Sequence, residues 1–128
     1  MKVLLDTHIF LWWITDDSRI SQRVSAIMAD GNNELYLSAA SIWEIVIKSR
    51  LGRLQLPENP DIHLTEQMAL NAVQSLSITM QHALRVYNLP DIHKDPFDRI
   101  MIAQALSEDM PIATRDDDIP KYGVQTIW

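Results

Sequence analysis

Four acidic residues are the first candidates for chemistry: Asp6, Glu44, Asp98 and Asp116. Asp6 ends the wholly apolar run Val3-Leu4-Leu5, and Asp116 follows an apolar run that closes at Thr114. Open α/β sheets bind ligands outside the carboxyl ends of their strands, where these two acids would stand. Each has an ordinary alternative as a loop or cap residue, because Asp favours turns. Glu44 lies in Ile42-Trp43-Glu44-Ile45-Val46-Ile47. A helix apolar nearly all round is largely buried, and a buried carboxylate needs a partner or a metal. Its alternative is an exposed pair with Lys48 at i+4, worth roughly 0.2–0.5 kcal/mol. Asp98 belongs to His93-Lys94-Asp95-Pro96-Phe97-Asp98-Arg99. There Asp95 reads as an N-cap, Pro96 as the first helical residue and Asp98 as the third position of a capping box. Asp98 also shares a helical stripe with Met101, Ile102 and Ala105, which turns it inward, where a carboxylate is costly.

Carboxylates that converge repel one another, so some stay protonated unless a cation neutralises them. Oxygen ligands without cysteine select hard cations, Mg²⁺ or Mn²⁺. Magnesium keeps waters and completes its shell with substrate phosphates. The chain has 11 basic and 17 acidic residues, a net charge of −6. Alone, that charge opposes a general nucleic-acid binder. Setting the four acids aside leaves 13 acids against 11 bases, a nearly neutral remainder that can meet RNA or DNA through a metal bridge. Lys48, Arg50 and Arg53 form a basic cluster suited to a phosphate backbone, or to a solvated helix end with a favourable dipole contact. His8 reads as a structural or supporting residue, since no Ser-His-Asp order is evident. Trp12, Trp13 and Trp43 suit base stacking, or packing in the core or a dimer.

These residues need a scaffold. A length of 128 residues fits one domain, 1–128, and 47% hydrophobic with 22% charged residues is an ordinary globular balance. With no cysteine there is no disulfide framework, thiolate zinc site or cysteine nucleophile. Asp6 interrupts any signal-peptide core and no run is long enough to cross a membrane, so a soluble cytoplasmic protein is expected. Strands are predicted at Val3–Leu5, Leu35–Leu37, Leu76–Ile78, Pro111–Thr114 and Val124–Ile127. Helices are predicted from Ser21 to Asp30, from Ser38 or Ser41 to Arg50, between Ile62 and Val73, from Thr79 to Tyr87 and from Pro96 to Asp109. Short apolar strands alternating with helices indicate an α/β layered fold on a mostly parallel sheet.

Four blocks carry a resemblance. Leu4-Leu5-Asp6-Thr7-His8 with Leu11-Trp12-Trp13 resembles the opening of PIN-domain ribonucleases, close to the VapC-type toxins of toxin–antitoxin pairs. SAASIWEIVIK (Ser38 to Lys48), LPDIHKDPFDRIMIAQA (Leu89 to Ala105) and TRDDDIPKYGV (Thr114 to Val124), with the closing Trp128, resemble the later motifs in order. The resemblance implies a PIN-like three-layer α/β/α fold around a central mostly parallel sheet, with an acidic pocket at the strand ends. It implies Mg²⁺- or Mn²⁺-dependent cleavage of RNA, with Asp6, Glu44, Asp98 and Asp116 as the site acids. Asp6 and Asp98 would hold the principal metal, and Glu44 and Asp116 a second metal or the attacking water. Asp95 belongs to the motif, and Thr7 and Thr114 match positions that help hold the site. Lys48, Arg50, Arg53, Arg99 and Arg115 are the candidate RNA contacts. A homodimer and a cognate antitoxin that inserts a basic side chain into the acids are also implied.

Three alternatives compete. A phosphoryl-transfer domain of the haloacid-dehalogenase kind needs a second aspartate two residues after Asp6, where His8 stands. A receiver domain needs a paired acid near the first strand and a lysine after a late one, and Arg115 follows Thr114. A PIN fold that only binds partners is opposed by the presence of all four acids.

Overall fold

A computed structural model describes residues 1–128. Its five strands are β1 (Lys2–Leu5), β2 (Glu34–Ser38), β3 (Val73–Leu76), β4 (Ile112–Ala113) and β5 (Thr126–Ile127). They form one parallel sheet in the order β3-β2-β1-β4-β5. The chain steps outward from β1 to β2 and β3, then crosses to β4 and β5 on the other side of β1. That reversal leaves a crevice at the carboxyl ends of β1 and β4. Six α-helices connect the strands: α1 (Thr7–Ile14), α2 (Gln22–Ala29), α3 (Ala39–Arg50), α4 (Pro60–Leu70), α5 (Met80–Arg85) and α6 (Pro96–Glu108).

The central strand shows why the fold has three layers. Val3, Leu4 and Leu5 are all fully buried, so β1 has apolar cover on both faces. Successive strand side chains point to opposite faces. Val3 and Leu5 accordingly join one core with Ile9, Phe10, Val24, Ile45 and Leu64, under α1 to α4. Leu4 joins a second core with Met101, Ile102, Ala105 and Ile112, under α6. Each large side chain removed from water contributes about 1.5–3 kcal/mol, which makes β1 the best anchored strand.

Caps set the helix starts. Ser21 Oγ accepts from Val24 N–H at 3.1 Å, and Ser38 Oγ from Ala40 N–H at 3.0 Å. Ser38 therefore opens α3. Ser41 lies one turn inside, where Thr7 Oγ1–H donates to its Oγ at 2.8 Å. Thr79 caps α5 in a capping box closed by His82, whose Nδ1 accepts from Thr79 N–H at 3.1 Å. The third strand begins earlier than the sequence predicts, at Val73, and Ile78 is exposed. The apolar stretch of α4 ends at Leu70, and Ala72 takes a positive φ of 52°, turning the chain so that Val73 enters the sheet. The residues from Thr7 to Ile14, an apolar run whose local pattern predicts no element, form α1.

Candidate active site

Asp6 leaves β1 still tied to the sheet, its N–H donating to the Ala113 carbonyl at 3.0 Å. It occupies the N-cap position of α1, yet its side chain caps nothing. Instead Asp6 Oδ2 accepts from Thr114 Oγ1–H at 2.7 Å, across the crevice between β1 and β4. Thr114 Oγ1 in turn accepts from Asp116 N–H at 3.0 Å. One threonine thus aligns two of the predicted acids.

Asp98 enters from α6. Asp95 caps that helix through Phe97 N–H at 2.8 Å, as the sequence predicts. Asp98 does not complete a capping box; it turns toward the crevice, one turn before buried Met101 and Ile102. Gln104, fully buried on the same helix, accepts from Ser38 Oγ–H at 2.5 Å and donates to the Leu76 and Ser77 carbonyls, docking α6 against the ends of β2 and β3. Asp6, Asp98 and Asp116 line one pocket of about 410 Å³, with His8, Trp12 and Arg115 among its other walls.

Glu44 comes from α3, one turn after Ser41, which Thr7 ties to α1; its charge acts on Asp6 and Asp98, but it does not line the pocket those two share with Asp116. It is buried, and Lys48 Nζ donates to its Oε2 at 2.8 Å. Glu44 is therefore the buried acid its neighbours predict; the pair with Lys48 forms, but not as an exposed one.

The electrostatics separate the acids into two pairs. Glu44 has Lys48, and Asp116 Oδ2 lies 2.7 Å from His93 Nε2. Asp6 and Asp98 have no cationic side chain in ion-pair range. Burial pushes the Asp6 carboxyl up, against the Thr114 hydrogen bond and nearby His8, and Asp116 and Glu44 push it further. Burial raises Asp98 to about 7, helped by the charges of Asp95, Asp6 and Glu44 and opposed by His93. Unpaired oxygen donors that resist ionisation are what a hard divalent cation relieves, so the donor set fits Mg²⁺ or Mn²⁺. A second grouping, His93, Asp116 and Asp118, brings one donor atom each within 4.8 Å. Its members already hold one another and Lys121 by hydrogen bonds.

The basic candidates divide. Arg115 lines the acidic pocket, and Lys48 and Arg53 line a neighbouring cleft of about 400 Å³ that shares His8 and Trp12 with it. Arg50 is exposed in the last turn of α3. Arg99 is instead a structural staple for the loop before α6. Its guanidinium donates to the carbonyls of Pro90 (2.8 Å), Val86 (3.2 Å), Leu89 and His93 (both 3.4 Å). His8 is exposed at the pocket mouth beside Trp12. Trp13 donates to Asn71 Oδ1 at 2.8 Å, and exposed Trp43 meets Phe97 edge-on. Sequence reasoning passes over His93 and Arg19. His93 stands inside the third motif, two residues before Asp95; Arg19, over the Trp12 ring at 4.9 Å, has no local signal.

A parallel three-layer fold carries carboxylates without a cationic partner at its switch point, a donor set that would suit a hard cation. Comparison with known proteins makes the family specific. The PIN domain family model matches residues 3–125. The chain is 30% identical over 115 residues to Ribonuclease VapC22 of Mycobacterium tuberculosis, covering 89% of this chain and 86% of that one. Among solved structures it is similar to VapBC2 from Rickettsia felis bound to promoter DNA, at TM-score 0.75 and 12% identity over 99% of this chain and 98% of that one. It is also similar to DNA-bound VapBC from Salmonella typhimurium, at TM-score 0.72 and 14% identity over 99% and 97%. The chain belongs to the PIN-domain family. The haloacid-dehalogenase and receiver alternatives fall with that assignment.

Proposed function

We propose that this protein is a Mg²⁺- or Mn²⁺-dependent ribonuclease acting as the toxin of a type II toxin–antitoxin pair. The observation that carries the reading is the pair of unpaired carboxylates, Asp6 and Asp98, facing one pocket at the switch point. The similarity to a ribonuclease over most of the chain supports the same chemistry. We take residues 1–128 as one PIN domain, supported by the single sheet and the match over residues 3–125.

Asp6 and Asp98 would hold the principal cation, and Glu44 and Asp116 a second cation or the attacking water. When bound, the cation polarises a phosphate oxygen and lowers the pKa of its water. Thr114 holds Asp6 in register with Asp116, while Lys48 pairs with buried Glu44 and fixes its side chain. Hydrolysis of the phosphodiester leaves a 5′ phosphate and a 3′ hydroxyl. Lys48, Arg50, Arg53 and Arg115 would neutralise flanking phosphates of the RNA.

The VapBC complexes among the similar structures support a protein antitoxin as partner. A pocket of unpaired carboxylates attracts a guanidinium, which can engage two carboxylates at once. An antitoxin arginine or lysine near Asp6, Glu44 and Asp98 would displace metal or substrate. Exposed apolar side chains on α3 (Trp43, Val46) and around α5 (Met80, Leu84, Tyr87) support a homodimer. No helix is long and apolar enough to cross a membrane.

The test is expression of wild type and Asp6→Asn from one inducible promoter at equal protein levels, with survivors counted and cellular RNA inspected for cleavage. Wild type should arrest growth and cut RNA, Asp6→Asn should do neither, and co-expressed antitoxin should rescue. Equal harm from both would place any toxicity outside this site.

A further inference from the structure

Behind Asp116 lies a hydrogen-bonded chain that the site acids alone do not require. His93 N–H donates to the Tyr122 hydroxyl oxygen at 2.6 Å. The same oxygen lies 3.0 Å from His93 Nδ1, and His93 Nε2 lies 2.7 Å from Asp116 Oδ2. A backbone N–H can only donate, so the tyrosine oxygen spends a lone pair on it. Its single hydrogen is then free to point at Nδ1. A carboxylate oxygen accepts, so the bond between His93 Nε2 and Asp116 Oδ2 is an Nε2–H donated to Asp116. Asp116 Oδ1 accepts from Asp118 N–H at 2.9 Å. Both carboxylate oxygens are thereby held, and each keeps a lone pair for the pocket. Asp116 N–H continues the path through Thr114 to Asp6.

The elements that build this chain are anchored. Tyr122 is buried, at the end of a short helical turn (Ile119–Tyr122) seated on the second core. His93 is mostly buried, its side chain 13% exposed, and its loop is stapled by Arg99. Asp116 itself is on a loop with 35% of its side chain exposed, so without His93 its carboxylate could rotate away from the pocket.

We propose that His93 is a positioning residue for the nuclease site: Tyr122 braces its ring, and its Nε2–H holds Asp116 in the orientation that faces the cation and water. This rests on the role proposed for Asp116 as a ligand of a second cation or of the attacking water. Partners of this kind, one bond behind a ligand, typically change metal affinity or activity 10–100-fold when removed.

The experiment compares wild type, His93→Ala, His93→Gln, Tyr122→Phe and Asp116→Asn. Folding is checked by circular dichroism, Mn²⁺ affinity by titration calorimetry without RNA, and kcat on an RNA oligonucleotide. His93→Ala should stay folded, bind Mn²⁺ about 10-fold or more weakly and lose a similar factor in kcat. His93→Gln puts an amide N–H near the position of Nε2 and should recover most of both losses. Tyr122→Phe removes the brace behind the ring and should fall between. A folded His93→Ala with Mn²⁺ affinity and kcat within about twofold of wild type overturns the proposal, as does His93→Gln no better than His93→Ala. If His93→Ala is silent while Asp116→Asn is impaired, positioning by His93 fails and the role of Asp116 stands. If Asp116→Asn binds Mn²⁺ and cuts RNA like wild type, the fault lies in the reading of Asp116, and the proposal falls with it.

Discussion

Asp98→Asn should make the metal-free protein more stable while destroying its activity. The carboxyl of Asp98 holds its proton to about 7 in the folded chain, against an ordinary 3.8. Between those two pH values the unfolded chain has released a proton that the native chain keeps. Stability therefore falls as pH rises from about 4 to about 7 and the loss is complete above that. Taken whole, the difference is at most ~4 kcal/mol. Asp98 is only partly buried, so solvent screening reduces it to ~1–2 kcal/mol. Against this, an acid at the third position of α6 gains ~0.3–1 kcal/mol from the helix dipole, which asparagine forfeits. The net gain is ~1 kcal/mol, or roughly 3–5 °C in Tm for a chain of this length. Calorimetry in EDTA should show Asp98→Asn melting above wild type at pH 8, with the gap about halved at pH 5.5. Added Mg²⁺ should raise wild type and leave Asp98→Asn unchanged. A variant that melts with or below wild type at pH 8 in EDTA would refute the claim that Asp98 is an unpaired, strained carboxylate.

Further outcomes follow from the same structure. Asp6→Asn keeps the shape of the side chain and should fold, with RNA cleavage reduced at least ~100-fold because the metal and its water supply several kcal/mol; Asp95→Asn should cost little, because asparagine is an equally good N-cap. A dead Asp95→Asn beside an active Asp98→Asn, in an oligonucleotide cleavage assay, would reverse the assignment within that motif. Leu4→Ala opens a cavity in the core between β1 and α6 and should cost ~2–5 kcal/mol of stability, read by urea unfolding, whereas an exposed change such as Tyr87→Ala should stay within ~0.5 kcal/mol.

The elements most legible in the sequence are those where one local signal dominates. The run Val3-Leu4-Leu5 has no polar face, so its place at the sheet centre follows from composition alone. Ser21, Thr79 and Asp95 cap where predicted because capping is a matter of a few neighbouring residues. The start of β3 is hard to read because Val73 to Leu76 has a mixed burial pattern on an edge strand and extends a helical-looking stretch. What brings the acids together is long-range: Thr114 meets Asp6 across 108 residues and Thr7 meets Ser41 across 34. His93 escapes sequence reasoning because its value depends on Tyr122 and Asp116, which lie 29 and 23 residues away. Arg99 looks like a phosphate ligand because a sequence shows its charge and not the carbonyls that surround it.

The central claim is that Asp6 and Asp98 form a cation-dependent centre for RNA hydrolysis. Its most direct measurement is cleavage of RNA by purified protein in excess EDTA, and after adding Mg²⁺, Mn²⁺ or Ca²⁺ back. No cleavage in EDTA, recovery with Mg²⁺ or Mn²⁺ and little with Ca²⁺ is the predicted result. Cleavage that runs at full rate in EDTA, or that Asp6→Asn performs as well as wild type, would contradict it.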